Sequence, residues 1–447
     1  MKIQEFIPFY KRNLALAFPI VLSQIGQVTV SLVDNMMVGH VGTVELAAAA
    51  FANSVFMIGM VFGMGITFGL TPLVGKAYGN NDLKKTVVWL KNGVFSNIVS
   101  GFGLAMVMFG IYFLLPLMGQ TSEVLNLAGP YYLLLCASYI PFVLFFTFKQ
   151  FFEGLGNTKM AMQITLTANV VNVLVNYVFI FGKFGFPELG LNGAGIGTLV
   201  SRLIMPVLFS FYVVRHSRYR RYFLMAHFQP LLKRNVISIL KIGLPIGLQL
   251  IVEVSAFGIG AVMMGWLGET PLAAHQVALG LATFSYMIAL GVSQANTIRV
   301  SHQMGIKDYT SMRRAAYAST HLVLVFMSFT ALLFILARNL LPYLFTSDIE
   351  VIKISAGLLI IAAIFQLFDG LQVSMLSTLR GMADVTVPMF VAFIAYLLVG
   401  IPVSYVFAFV LNAGPQGIWY GYLVGLGTAG ILFYFRFRKN LKKLGAV

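Results

Sequence analysis

Three carboxylates stand where carboxylates are seldom found. Asp34, Glu253 and Asp369 each lie inside a long apolar run, while the rest of the 14 Asp and Glu sit in polar segments or near the ends of such runs. An acid surrounded by hydrocarbon is expensive and is read first as functional. Each has polar company at helical spacing. Gln24, Gln27, Ser31 and Asp34 follow a 3-4-3 spacing that puts them on one stripe of a helix. Gln249 and Glu253 are four apart, as are Asn172 and Asn176, and Gln366 and Asp369 are three apart. Carboxylates with amide and hydroxyl oxygens suit a proton or a hard monovalent cation. Amides alone also hydrogen-bond one helix to another, and it is the carboxylates that argue for more.

The elements that must hold these groups follow from composition. The 447 residues are 59% hydrophobic and 10% charged, with a mean hydropathy of +0.87, against roughly 25% charged in soluble domains. Lipid is therefore the solvent. A spanning helix needs about 20 apolar residues. Breaks at charged, Gly and Pro clusters leave twelve runs, near 14–38, 45–74, 87–117, 124–152, 160–182, 194–214, 238–264, 271–298, 315–341, 351–378, 387–411 and 417–435. All 30 Lys and Arg except Lys183, Arg202, Arg338 and Lys353 fall at the two chain ends or on 75–91, 149–159, 215–241, 299–314 and 380. The positive-inside rule then puts both termini in the cytoplasm. The basic loop 215–234 is expected on the inner membrane surface.

The net charge of +16 is spread over interhelical segments, which argues against a nucleic-acid partner. The single Cys136 excludes an intramolecular disulfide and a cysteine metal cluster. The chain contains no HExxH, GxSxG or Walker A motif, and its six His are scattered. No catalytic residue and no cofactor is expected, so any work must be driven by an ion gradient or the substrate's own gradient.

The chain also repeats itself. An ungapped shift of 226 residues lays Pro19 on Pro245, Gly39 on Gly265, Gly42 on Gly268, Gly79 on Gly305 and Asp82 on Asp308. Further on, Gly154 matches Gly381, and Gly190, Gly193 and Gly197 match Gly414, Gly417 and Gly421. The expected fold is an all-α membrane protein of twelve transmembrane helices in two six-helix bundles, related by a pseudo-two-fold axis along the membrane normal. The expected divisions are an N-terminal lobe at 1–214, a cytoplasmic linker at 215–237 and a C-terminal lobe at 238–447. The acids break the symmetry: Gln27 aligns with Glu253, Asp34 with Gly260, and Phe142 with Asp369.

The segment VDNMMVGHVGTVELAAAAFANS, its partner MMGWLGETPLAAHQVALGL, the intramembrane Glu253 and the LFDGLQ around Asp369 resemble the multidrug and toxic compound extrusion (MATE) transporters, in their bacterial NorM branch. The resemblance covers nearly the whole chain. It implies export of small organic cations by antiport with Na+ or H+, with alternating access between two lobes, in the bacterial cytoplasmic (inner) membrane. It implies that Glu253 and Asp369 are cation-binding acids, the pair that would take Na+. Asp34 would be the essential acid of the other lobe, with Asn172, Asn176 and Thr198 as polar partners. Some relatives have Asp at the position of Asn176, so an ion site there would carry less charge in this chain. Gln27, Ser54, Gln276, Tyr286 and Asp348 match positions near bound drugs. The partners implied are organic cations and membrane lipids, and the state a monomer. The alternative is a flippase for lipid-linked oligosaccharides or lipids of the same superfamily. A flippase would call for a cavity rich in Arg and Lys, whereas Arg202 is the one basic residue placed well inside a span.

Overall fold

A computed structural model describes residues 3–445. Among these, twelve helices are long and apolar enough to cross a membrane. They are α1 (Gln4–Gly39), α2 (Thr43–Gly79), α3 (Leu83–Tyr112), α4 (Ser122–Gly154), α5 (Thr158–Ile180) and α6 (Leu191–Arg215). The second set is α7 (Lys233–Leu267), α8 (Glu269–Ile306), α9 (Tyr309–Leu336), α10 (Ile349–Gly381), α11 (Thr386–Val410) and α12 (Gly414–Lys443). The all-α, twelve-span reading holds. Apolar side chains face outward where lipid would be: on α3, Phe95, Val99, Phe102, Met106 and Phe109 form an exposed stripe at 4-3-4-3 spacing.

The repeated residues have repeated jobs. Asp82 and Asp308 cap α3 and α9, each accepting a backbone N–H, from Lys85 and Ser311, at 2.9 Å. The preceding residues, Asn81 and Lys307, both take the left-handed conformation, at φ 54 and 60. Asn enters that region readily and Lys less so.

The chain forms two compact units. One is Leu22–Gly247; the other joins the residues up to Val21 with those from Leu248 onward. Within α1 and α7 the division falls two residues beyond Pro19 and Pro245, where the helix lacks a backbone donor.

In the Leu22–Gly247 unit, the first part of α7 packs on α2 through glycines. A Cβ on Gly69 would lie 2.7 Å from Gly243 N, and one on Gly65 would lie 2.6 Å from Gly247 N. Two small-xxx-small pairs thus bring backbones into contact, the packing available when lipid removes the hydrophobic drive. The other unit repeats this contact: Ala17 and Ile20 of α1 are buried with Ala289, Val292, Ala295 and Ile298 of α8. Asn13 Nδ2 donates to Ala315 O at 3.1 Å.

The loop after α6 forms a helix, Ser217–His227, held in the Leu22–Gly247 unit by Phe152–Tyr219 and Phe151–Tyr222 ring contacts at 5.1 and 5.9 Å. Lys91 Nζ donates to His227 O at 2.9 Å.

Two sequence expectations are corrected. The stretch from 149 is not a solvated loop, because α4 runs on to Gly154 and buries Lys149 and Glu153, 2% and 3% exposed, as an ion pair at 3.9 Å. One turn separates the pair, so a single helix face carries both charges inward together. Likewise α8 and α10 continue through Arg299 and Arg380, which are inside helices rather than in loops. α11 is also irregular. It widens into π-helix at Ile394–Gly400 and Val406–Val410, the first stretch leading into Pro402, whose ring has no N–H to donate and crowds the carbonyl four residues back.

Candidate ion and substrate sites

In the Leu22–Gly247 unit the polar stripe of α1 meets α5. Asn176 Nδ2 donates to Asp34 Oδ1 at 2.6 Å and lies 3.3 Å from Asn172 Oδ1, so one amide ties the carboxylate to a second amide. Asn172 and Asn176 are buried. A hydrogen bond to a charged group is worth about 1.5–3 kcal/mol, and a buried acceptor stripped of its donor loses more than that bond. Gly197 of α6 backs directly onto Asn176, and any side chain there would strike its Oδ1. Thr198 follows and gives its carbonyl to Ser201 Oγ at 2.9 Å.

One turn beyond Thr198, Arg202 projects into the same unit. Its Nη1 donates to Ser138 Oγ at 2.8 Å, its Nη2 lies 3.6 Å from Met60 Sδ, and its guanidinium sits 5.2 Å from the Phe56 ring centre and 5.0 Å from that of Phe142. Asp34 attracts it across the interior. A desolvated cation–π contact is worth about 2 kcal/mol, which offsets part of the cost of keeping this charge out of water.

The other unit holds Glu253 and Asp369. The Tyr286 hydroxyl donates to Glu253 Oε1 at 3.3 Å and Gln249 Nε2 to Oε2 at 3.4 Å. Gln249 also accepts from Arg380 Nη2 at 2.6 Å, so the amide relays between guanidinium and carboxylate. Asp369 is buried and feels the charge of Glu253. Gln366, on the same face, accepts from Thr330 Oγ1 at 3.0 Å and ties α10 to α9. A small cavity reaches Glu253 between Ala256, Phe257, Tyr396, Gly400 and Tyr422. It opens where α11 is π-helical and where Gly400 faces Gly421 and Gly425 of α12, whose missing side chains let the backbones approach. Counted formally, two carboxyl groups face one guanidinium here, so one acid is left without a fixed counter-charge and a monovalent cation or a proton can neutralise it.

The remaining sequence candidates are placed differently. Ser54 Oγ donates to Ala50 O at 2.7 Å, and Gln27 is partly buried on the Asp34 stripe. Gln276 is exposed on α8, next to the buried His275, which takes a 3.2 Å hydrogen bond from Trp419 Nε1. Asp348 caps α10, accepting from Glu350 N and Val351 N at 2.8 and 3.2 Å. Of the five, Tyr286 is the one that contacts a candidate acid directly. Reasoning from sequence missed Arg380, Tyr396 and Tyr422. For the last two a signal was there: tyrosines in apolar runs beside Gly400-Ile401-Pro402 and Gly421.

The MatE family model matches residues 19–178 and again 245–406. This chain belongs to the MATE family. The two matches begin 226 residues apart, the same offset as the internal repeat. The MATE relatives include a protein described as "Probable multidrug resistance protein NorM" from Rhizobium meliloti (strain 1021), 33% identical over 442 residues, 98% of this chain and 95% of that protein. Another is "Multidrug resistance protein NorM" of Aliivibrio fischeri, 30% identical over 429 residues, 95% of this chain and 93% of the relative. The crystal structure of the eukaryotic MATE transporter AtDTX14 shares the fold, with a TM-score of 0.87 over 98% of each chain at 23% identity. The chain is a NorM-like MATE multidrug efflux transporter.

Proposed function

We propose that this MATE transporter exports small organic cations from the cytoplasm in exchange for Na+ or H+, by alternating access between an N-terminal and a C-terminal lobe. Both chain ends lie on the cytoplasmic side of a bacterial inner membrane in this reading. The observation that carries it is the charge balance around Glu253: a carboxylate held by Tyr286 and Gln249, a second buried carboxylate at Asp369, and one guanidinium at Arg380. An acid without a fixed counter-charge inside a membrane protein is costly to ionise, which suits it to take up and release a proton or a mobile cation over a working cycle.

Asp34 is the substrate's counter-charge in this scheme. A ligand shifts the inward–outward equilibrium only through a difference in its affinity for the two states. A carboxylate that is charged when a cationic drug is bound, and neutralised when the coupling ion arrives, provides such a difference. Gln27, on the same stripe as Asp34, and Tyr286, on Glu253, are the drug-contact candidates that lie beside an acid, one in each unit. The monomer is the working unit, with the surrounding lipids as partners.

The reading is tested by purified protein in liposomes, with Na+ and pH gradients imposed separately and a fluorescent organic cation as cargo. Uptake driven by one of the two gradients supports it. Equal movement with and without gradients contradicts antiport.

A further inference from the structure

Arg202 takes no part in the scheme above, yet its charge is closely housed. Phe56 and Phe142 present their ring faces to the guanidinium, Met60 presents a polarisable sulfur and Ser138 a hydroxyl oxygen. Tyr139 braces the wall, edge-on to Phe56 at 6.2 Å and stacked on Phe142 at 6.2 Å. Rings, a thioether and one hydrogen-bond acceptor make up a recess for a flat organic cation. Asp34 provides the opposite charge from within the same unit.

The internal repeat gives this recess a meaning. Met60 aligns with Tyr286, Phe142 with Asp369 and Arg202 with Leu426. Tyr286 holds Glu253, Asp369 feels its charge, and Leu426 lines the cavity that reaches it. So the positions that build the acid site in one half build an aromatic recess around a guanidinium in the other. Leu426 also shows that the scaffold accepts an apolar side chain where Arg202 stands, and the arginine is not a requirement of the fold.

We propose that the recess of Phe56, Met60, Ser138 and Phe142 is a site for a planar monovalent organic cation, and that the chain keeps it filled with its own Arg202. While Arg202 is seated, this recess is closed to a transported cation and Asp34 is partly balanced. The exchangeable cation is then left to the Glu253 half, a consequence that rests on the function proposed above. The site itself does not.

Chemical rescue tests it without transport. In Arg202→Ala the recess is vacated, and free guanidinium ion at low millimolar concentration should raise the melting temperature of the detergent-solubilised variant by several degrees. Urea, neutral and of the same shape, should not, and neither wild type nor Arg202→Leu should be stabilised by guanidinium. Adding Phe142→Leu to Arg202→Ala should weaken the rescue severalfold. Guanidinium and urea acting alike on Arg202→Ala, or guanidinium stabilising wild type equally, overturns the proposal. Should Arg202→Ala fail to fold, its yield as monodisperse protein decides: guanidinium in the purification should restore it and urea should not. Equal recovery with both, or with neither while Arg202→Leu folds, overturns the idea. Loss of ion coupling in Glu253 variants bears on the proposed function and leaves this result untouched.

Discussion

Asn176 reaches across from α5 to hold Asp34, its Nδ2 2.6 Å from Oδ1 and its chain position 142 residues away. The same amide donates to Asn172, so the side chain that holds the carboxylate is itself tied to a neighbour on its helix face. Asn176→Ala removes the donor and leaves Asp34 with its charge but without its anchor. Export of a cationic dye should fall about tenfold or more, following the size of a lost charged hydrogen bond. Asp34→Asn should abolish resistance with the fold intact, since an amide fits the same space. Resistance at the wild-type level in Asp34→Asn would show that the acid is structural.

The two acids of the other unit make a paired prediction. Glu253→Gln keeps the side-chain volume and one of the two acceptors that Tyr286 and Gln249 use, and Asp369→Asn keeps the volume of a buried side chain. Both variants should therefore reach the membrane folded, yet ion-driven efflux should be lost. Gel-filtration profiles and dye efflux, measured on the same preparations, check this. Full efflux by both variants would contradict a coupling role.

The glycine crossings predict where bulk is not tolerated. Gly243 and Gly69 bring two helix backbones together in the Leu22–Gly247 unit, and Gly291 meets Val21 in the other, its missing Cβ 3.0 Å from Val21 N. Gly243→Val and Gly291→Val should each destabilise the protein by at least about 1–3 kcal/mol, the range for overpacking, because backbone cannot yield as a side-chain tip does. Melting temperatures in detergent should drop for both and stay unchanged for Gly103→Ala, whose added methyl meets nothing within 4 Å.

A pH effect is expected at Asp308, outside the spans. Hydrogen bonds from Ser311, then from its backbone N–H, hold this carboxyl below its ordinary value of 3.8. Its folded value is the lower one, so its stabilising contribution is complete above about pH 4 and fades as pH falls below 3.8 toward the folded value. Asp308→Asn keeps a capping oxygen without a titrating proton and should lose that acid-side slope. Asp308→Ala should cost about 1 kcal/mol at pH 6, and less toward pH 3 as the wild type loses its charged cap. Melting temperatures from pH 6 to pH 3 separate the two variants.

Much of this was legible in the chain. The repeat marked Asp82 and Asp308 before their identical capping roles were visible, and apolar run length alone located the twelve spans. The Asp34 stripe and the Asn172–Asn176 pair could each be read because helical spacing is a local property, whereas joining the two came from the family resemblance. What escaped was set by neighbours distant in sequence. Lys149, Glu153 and Arg380 look like loop charges until packing shows that α4 and α10 carry them inward. The recess of Arg202 draws on Phe56, Met60, Ser138 and Phe142 from two other helices, a convergence no periodicity displays. The π-helical turns of α11 depend on Pro402 together with the close approach of α12.

The central claim is that a carboxylate-held cation drives export. The most direct measurement is dye transport in liposomes by wild type and Glu253→Gln side by side, with a Na+ gradient and a pH gradient applied one at a time. Wild type should respond to one gradient, and Glu253→Gln to neither while still binding dye. Gradient-driven transport by Glu253→Gln at the wild-type rate would contradict the claim.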